Sequence, residues 1–328
     1  MTTPALAARL EVLHAGPHIA VQDGGRSGLK RYGVPASGPM DRKSFALANA
    51  VLGNPADHVA IEVSVAGLSL RCTEGAITVA VVGGAFVLQT GARRLGAWSV
   101  LTLRAGDALS IQAGVWGSWC YLALAGDLQV PAWLGSQSTH ASSGLGGGAV
   151  RTGQTLRVQR PRVNAVPEGD MACPVWARPA RTVQCVLGPQ DRFFAPDTLA
   201  AFTQARYELT HTYDRMGVRL RGPALRPVGA LSIPSEPIVR GSVQVSGDGA
   251  PTVLLADHQT TGGYPKIATL LADEVDRLVQ CRPPDAVRFE PVTPAQAIAQ
   301  RRFWAQQQQT YLQRLLADFG FAPRVVQS

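Results

Sequence analysis

Apolar residues in this chain come in short runs, not in long helical stripes. Ala76–Val82 (AITVAVV) and Phe86–Gln89 flank Gly83-Gly84, and Ser99–Leu103, Ala108–Gln112 and Trp119–Ala125 follow at close spacing. Short runs of this length, repeated at intervals of about 8–12 residues and separated by glycine turns, predict the strands of a barrel or sandwich. One shape recurs. Leu103–Ile111 (LRAGDALSI), Arg151–Val158 (RTGQTLRV) and Cys281–Phe289 (CRPPDAVRF) each carry a turn, a polar residue and then alternating apolar positions. Each predicts a hairpin turn running into a strand. The third copy lies well over a hundred residues beyond the other two, which implies two β lobes of similar build. The Pro- and charge-rich stretch Arg160–Arg181 reads as the linker. The expected division is a first lobe over 1–165, a second over 166–293 and a helical appendage over 294–328.

Helical spacing is confined to a few places, so the fold class is mainly β with a few helices. Met40–Leu52 (MDRKSFALANAVL) puts Phe45, Leu47, Ala48, Val51 and Leu52 on one face, with Ser37 as the candidate N-cap. A short helix is expected over Pro196–Gln204, and Ile267–Val279 reads as either a helix or a strand and turn. The clearest helix is Pro294–Phe319, capped by Thr293 and stopped by Gly320. Its Gln306–Gln309 run is polar and its apolar positions are weakly periodic, which suits packing on the surface or on a partner.

Composition narrows the function classes. Hydrophobic residues make up 46% and charged residues 16%, enough for a sizeable core and too little charge for disorder. The net charge is +8, but only Lys30, Lys43 and Lys266 of the 31 basic residues are lysines, and no run of five basic residues occurs. A nucleic-acid footprint needs a basic stripe with interleaved aromatics, and none is visible. Cys72, Cys120, Cys173, Cys185 and Cys281 are odd in number and no two lie closer than twelve residues. They read as buried thiols in a reducing compartment. The uncharged runs 76–92 and 108–126 are broken by glycines and read as buried strands, and Met1–Arg9 is too weakly apolar for a signal peptide. A soluble, cytoplasmic protein is expected.

Common local motifs are missing. The sequence contains no GxxxxGK[ST] phosphate loop, no HExxH, no GxSxG and no CxxC. Three polar clusters remain. In the first, Val21–Gly28 (VQDGGRSG) and Gly33–Asp41 (GVPASGPMD) place five glycines, Asp23 and Arg26 ahead of a helix start. This suits either an anion or an ordered turn in which Asp23 and Arg26 satisfy each other. In the second, Leu134–His140 (LGSQSTH) and the glycine tract 144–148 could line a pocket or cap turns. In the third, a buried strand Thr252–Ala256 delivers Asp257, Gln259, Thr260 and Thr261, followed by Gly262-Gly263, Tyr264-Pro265 and Lys266. The double glycine allows close backbone approach or positive φ. An ammonium held near a carboxylate and a phenol can act as an electrophile or a proton carrier.

The residues of these clusters carry a resemblance. The chain resembles the biotin-dependent carboxyltransferase family, also described as allophanate hydrolase subunit 2-like, whose free-standing bacterial members include the C-type subunit of 5-oxoprolinase. Related domains occur in urea carboxylase. The matching blocks are Val21–Gly28, Gly33–Asp41, Ala48–Asn54, Ala60–Glu62, Leu134–Thr139, Asp214–Leu220, Ser235–Ile238 with Gly241–Val245, and Leu255–Ile267. Gln137 stands where the family usually carries Arg.

The resemblance implies two cyclophilin-like β-barrel lobes and a heteromeric enzyme built with homologues of the A- and B-type subunits of 5-oxoprolinase. The implied reaction is ATP-driven hydrolysis of 5-oxo-L-proline to L-glutamate, with ATP at a subunit interface or in a partner. Lys266 and Tyr264 would contact a carbonyl or anionic oxygen, and Asp257 would orient Lys266 or handle a proton. Asp23, Arg26, Ser136, Ser138, Thr139, Arg215, Glu236, Gln244, Gln259, Thr260, Thr261, Gly262 and Gly263 would bind substrate or build the pocket, and no metal is implied. Two alternatives follow: a carboxyltransferase using carboxybiotin on urea or a related amide, with biotin carried by a partner, or a non-catalytic regulatory protein that binds the B-type subunit.

Overall fold

The computed structural model describes residues 7–228 and 233–319. The chain divides into two units. One comprises Met1–Gly25, Asp41–Arg178 and Gln306–Ser328; the other comprises Arg26–Met40 and Pro179–Ala305. The expected first boundary at 165 falls short of the observed one because Gly169–Asp170 pairs antiparallel with the strand Ser99–Arg104, keeping the linker with the first unit.

The first unit contains two sheets. One orders the strands Asp127–Leu128, Thr155–Gln159, Ala7–Ala15, Leu68–Glu74, Ala108–Gln112, Val87–Thr90 and Arg93–Gly96. Its strands alternate buried and exposed residues, as in Thr155–Gln159, the mark of a sheet with one wet face. The other orders Gly169–Asp170, Ser99–Arg104, Ala76–Val82, Trp119–Leu124, Ala60–Ser64 and Ala20–Gln22. Here Trp119–Leu124 and Ala60–Ser64 are buried throughout. Both faces of these strands are covered, and the one carboxylate among them, Glu62, is satisfied by the Tyr121 hydroxyl.

Helix α1, Arg42–Val51, covers part of that sheet, with Phe45 edge-on to Tyr121 at 5.5 Å between ring centres. Its N-cap is Asp41, not Ser37. The Asp41 carboxylate accepts from the amides of Lys43 and Ser44 at 3.1 and 3.0 Å and from Ser44 Oγ at 2.6 Å. Ser37 instead takes a positive φ of 53° further upstream. The Asp41 amide donates to the Tyr121 hydroxyl at 2.7 Å, which donates to Glu62 at 2.9 Å, so the cap is tied to the sheet beneath it.

The second unit contains a closed seven-stranded barrel. Its order is Thr182–Leu187, Lys266–Leu270, Ser242–Val245, Pro251–Leu254, Gly217–Arg221, Tyr207–Tyr213 and Ala286–Pro291, closed by a parallel pairing of the last with the first. Val183, Cys185, Leu209, Val218, Leu220, Val243, Val253 and Phe289 are buried at alternate positions, which fills one side of the barrel wall with apolar side chains. Helix α2, Pro196–Gln204, forms where expected and stacks Phe202 on Phe289 at 4.5 Å. The ambiguous stretch Ile267–Val279 resolves into the end of the strand Lys266–Leu270 and a short helix α3, Ala272–Leu278.

The recurring turn has a shared physical basis, but it closes no hairpin. In each copy the residue at the fourth position of the turn accepts the amide of the first through its side chain: Asp107 from Arg104 at 2.8 Å, Gln154 from Arg151 at 3.0 Å and Asp285 from Arg282 at 2.8 Å. A strand then begins. The strands before and after the first copy belong to different sheets, and the third copy follows α3 and leads into the strand that closes the barrel.

Helix α4, Pro294–Asp318, is capped as predicted. Thr293 Oγ1 accepts from the Gln296 amide at 3.2 Å while Gln296 Oε1 accepts from the Thr293 amide at 2.9 Å, a reciprocal capping box. Gly320, the expected stop, lies outside the described residues. Among the described residues no helix is long and apolar enough to cross a membrane.

The strap Arg26–Met40 belongs to the second unit although it precedes most of the first in sequence. Arg215 Nη2 donates to the Gly38 carbonyl at 2.7 Å, Arg240 Nη2 to the Met40 carbonyl at 2.5 Å and Lys30 Nζ to the Ile238 carbonyl at 3.4 Å.

Candidate functional site

In the first unit the structure brings the first two polar clusters together. The Asp23 carboxylate accepts from Ser136 Oγ, Ser138 Oγ and the Gln137 amide, each at 2.6 Å, and from the Gly25 amide at 2.9 Å. Burial alone would raise this carboxyl. The hydrogen bonds from Ser136, Ser138, Gly25 and Gln137 outweigh it and hold the group below the ordinary carboxylate range. Thr139 joins the same layer, with Oγ1 donating to the Val21 carbonyl at 2.8 Å. Gly147 makes the close approach possible, since a Cβ there would stand 2.7 Å from the Gln137 carbonyl and 2.6 Å from Val21. Gln137 contributes its backbone to Asp23, and its side chain reaches the Val130 carbonyl at 3.4 Å. The arrangement orders a loop.

Arg26 stays in the strap, where its amide donates to the Ala36 carbonyl at 2.7 Å; the other predicted residues gather in the second unit, in three adjacent layers. The deepest is an ion pair. Arg215 Nε and Nη2 donate to the two oxygens of Asp257 at 2.9 and 3.0 Å, and both side chains are almost fully buried. The Asp257 amide also donates to the Arg215 carbonyl at 2.8 Å. This bidentate geometry suits a desolvated pair, and through Gly38 it anchors the strap. Asp257 is therefore engaged with Arg215, whereas Lys266 takes a different carboxylate.

That carboxylate is Glu236. Lys266, 2% exposed, donates from Nζ to Glu236 Oε1 at 2.5 Å. Gln190 completes the layer. Its Nε2 donates to the same Glu236 oxygen, and its Oε1 accepts the Lys266 amide at 3.1 Å. The Lys266 hydrogen bond, reinforced by Gln190 and by the charges of Lys266 and Arg192, holds the half-exposed Glu236 carboxyl below its ordinary range against a smaller opposing effect of desolvation. Gln190 is a residue that sequence reasoning missed. It follows the Gly188-Pro189 turn, and the signal available was only a polar residue just after a Gly-Pro pair.

Beside this pair runs a groove of about 420 Å³ on the barrel wall, whose lining includes Gln244, Gln259, Tyr264, Arg219 and Thr252. Gly262 joins it to the Lys266 layer. Gly262 pairs with Glu236 and Thr261 with Pro237 in a two-stranded ribbon, and Thr260 accepts the Ile238 amide at 3.1 Å. A Cβ on Gly262 would stand 2.7 Å from Gln244 Nε2, and one on Gly263 would stand 2.9 Å from the Ile233 carbonyl. Neither glycine has a positive φ, so the double glycine serves close approach. Tyr264, 47% exposed, forms a wall of the groove.

His258 lies just behind. Its Nδ1 donates to the Gln259 carbonyl at 2.6 Å and its Nε2 accepts from Lys30 Nζ at 3.3 Å. Burial, together with the charges of Lys30 and Arg240, lowers its pKa to about 4 despite the opposing Gln259 hydrogen bond, so the ring is neutral at pH 7. Lys30 and Arg240 were also missed. Lys30 was conspicuous as one of three lysines, while Arg240 was one of many arginines.

The barrel of the second unit thus sets a buried lysine, held by a half-exposed glutamate, next to an open polar groove. The chain belongs to the family described as carboxyltransferase domain, subdomain A and B, which matches residues 32–291. It is similar to the C-type subunit of 5-oxoprolinase from Escherichia coli (strain K12), at 30% identity over 310 residues that cover 93% of this chain and 97% of that protein. Among solved structures it resembles K. lactis urea amidolyase, with a TM-score of 0.83 and 26% identity over 96% of this chain and 20% of that one. It also resembles TTHA0988, with a TM-score of 0.77 and 30% identity over 88% of this chain and 56% of that one. The chain thus spans about half of TTHA0988 and a fifth of the urea amidolyase.

Proposed function

We propose that this chain is the C-type subunit of a heteromeric, ATP-dependent 5-oxoprolinase of the cytoplasm. With A- and B-type partner subunits it would convert 5-oxo-L-proline, ATP and water into L-glutamate, ADP and phosphate. The observation that carries this reading is the end-to-end similarity to the C-type subunit of a 5-oxoprolinase, set against a match to only a fifth of the urea amidolyase.

A lactam carbonyl is a poor electrophile, and ATP supplies the activation of its oxygen. The chain's own residues hold and polarise that oxygen. Glu236 and Gln190 fix the Lys266 ammonium in a site with almost no exposure to water, where a preorganised cation is worth far more than in solution. The Tyr264 phenol offers a second donor from the groove wall. Asp257 acts through Arg215 as a positioning residue that fixes the strap.

The nucleotide is assigned to a partner or an interface. The glycine tract 144–148 packs against Val21 and the Gln137 carbonyl, and Gly262-Gly263 lies in and beside a strand ribbon. Neither opens a helix, as a phosphate cradle does. The three lysines also fit no covalent biotin. Lys266 is buried and held by Glu236, Lys43 is 9% exposed, and Lys30 is tied to His258 and Ile238.

The test is glutamate release from 5-oxo-L-proline and ATP by the chain mixed with A- and B-type subunits, repeated with each component omitted. Release only from the full mixture is the expected result. No release from an assembled complex overturns the reading. The structural similarity to urea amidolyase supports the second reading, a carboxyltransferase fed by carboxybiotin on a partner, which predicts activity only with a biotinylated protein present.

A further inference from the structure

We infer that the groove on the outer face of the second unit's barrel is a lactam-acid site, with Gln244 and Gln259 on the ring amide and Arg219 on the carboxylate. The identity of the ligand rests on the oxoprolinase reading; the groove itself rests on geometry. Strand register places Gln244 opposite Thr252 and Thr252 opposite Arg219. Directly paired residues share a face of the sheet. Their chain neighbours Val243, Val245, Val253, Val218 and Leu220 are all buried on the other face, so Gln244, Thr252 and Arg219 form a row across the outside of the barrel.

Gln244 is 5% exposed, yet its carboxamide nitrogen has no hydrogen-bond partner among the described residues. Buried donors are normally satisfied, and one left open destabilises the fold unless something fills the position. Gln244 lines an open groove, and a turn of its carboxamide brings this buried donor to a ligand carbonyl there. Gln259 turns towards the same point. A Cβ on Gly262 would stand 2.7 Å from Gln244 Nε2 and 3.6 Å from Gln259 Nε2, so the glycine keeps the space between two carboxamides clear. Each carboxamide offers a donor and an acceptor, the complement of a lactam's C=O and N–H.

The other end of the row carries the charge. Arg219 uses Nη2 on Asp248, and both side chains are exposed. The planar guanidinium fork can take a second carboxylate. Asp248 is held independently by Ser246 Oγ at 2.7 Å and the Ala250 amide at 3.2 Å, both on Oδ1. The acid that lines the groove, Asp214, accepts the Met216 and Gly217 amides at 2.7 and 3.2 Å, which ties its charge to the turn. Gln244 also pairs with Lys266 on the neighbouring strand. The amide end of the ligand therefore lies towards the Lys266–Glu236 pair, and the long Arg219 side chain, rooted two strands away at about 4.8 Å per strand, reaches back along the groove to the adjacent carboxylate. The groove volume, about 420 Å³, falls within the range of about 300–1,000 Å³ usual for small-molecule sites.

The test is calorimetric titration of 5-oxo-L-proline, 2-pyrrolidinone and L-proline into the full chain, alone and assembled with A- and B-type subunits. The expected order is 5-oxo-L-proline tightest, 2-pyrrolidinone weaker and L-proline, which has no ring carbonyl, weakest. Gln244→Ala is expected to weaken both lactams at least tenfold. Gln244→Glu, close in shape and lacking the donor, repeats the test if the alanine variant folds poorly. Arg219→Ala is expected to weaken 5-oxo-L-proline about tenfold and leave 2-pyrrolidinone unchanged. Binding of neither lactam in either setting, or variants that bind like the wild type, overturns the inference. Wild-type glutamate release with unchanged KM in all variants overturns the groove and leaves the oxoprolinase reading standing. Lactam binding that the variants weaken, without glutamate release by the wild-type complex, overturns the oxoprolinase reading and leaves the groove.

Discussion

In the first unit, Asp23 accepts hydrogen bonds from two serines and two backbone amides. In the second unit, Gln244 is buried and its carboxamide nitrogen meets no partner among the described residues. Both regions combine glycines with hydroxyls and amides, and in sequence both read as candidate sites. The difference lies in satisfaction. A polar group whose partners all come from its own unit builds a loop, while a buried donor facing an open groove is completed by something from outside.

The largest effect expected is on chemistry. Lys266→Ala removes the cation fixed by Glu236 and Gln190 and should cut glutamate release by the assembled complex by about 100-fold or more, with the far-ultraviolet circular dichroism spectrum intact. Full activity in that variant would remove Lys266 from the site and with it the contrast between the two regions.

Next comes the buried ion pair. Arg215→Met strands Asp257 and releases Gly38, which should cost the second unit about 3–5 kcal/mol, read from its urea transition. His258 gives an effect of similar size through pH. Its folded pKa is about 4 against 6.5 for the ordinary group. Between those values the unfolded chain takes up a proton that the folded chain refuses. Stability is therefore greatest above about pH 6.5 and falls as the pH drops to about 4, by about 3 kcal/mol from this group. His258→Gln should flatten that part of the stability profile, and an unchanged profile would show that the ring is not held neutral.

Asp23→Ala sharpens the comparison from the other side. Removing the acceptor leaves two serine hydroxyls and two amides to find water, which should cost the first unit about 1–3 kcal/mol. The change should appear in thermal melts and in faster amide exchange at Gln137. The smallest effect is expected for Gly262→Ala, whose Cβ forces the end of the Gln244 side chain aside. It should raise KM more than it lowers melting temperature.

The sequence made much of this legible because its signals were local. Alternation and glycine turns marked the strands, and Thr293 with Gln296 wrote a cap into four residues. The block from Asp257 to Lys266 was visible as dense chemistry. What escaped depended on register and chain return. Arg219 and Thr252 join Gln244 only because three strands pair in a given alignment, and no spacing along the chain encodes that. Gln190 meets Lys266 across 76 residues. The Ser37 cap failed because Asp41, one residue before the helix, offers a carboxylate that reaches two amides at once. The hairpin reading failed because a side chain that caps a turn says where a strand starts and nothing about which sheet it joins.

The strap Arg26–Met40 ties the order of synthesis to the order of folding. The Gly38 carbonyl leaves the ribosome 177 residues before the guanidinium that holds it. Throughout that interval the strap waits, while Asp41–Arg178, most of the first unit, emerges behind it. A gene cut after Arg178, where the long second segment begins, yields a barrel fragment without its strap and an N-terminal fragment carrying a loop that belongs elsewhere. The two halves of this chain are separate in architecture and inseparable in inheritance.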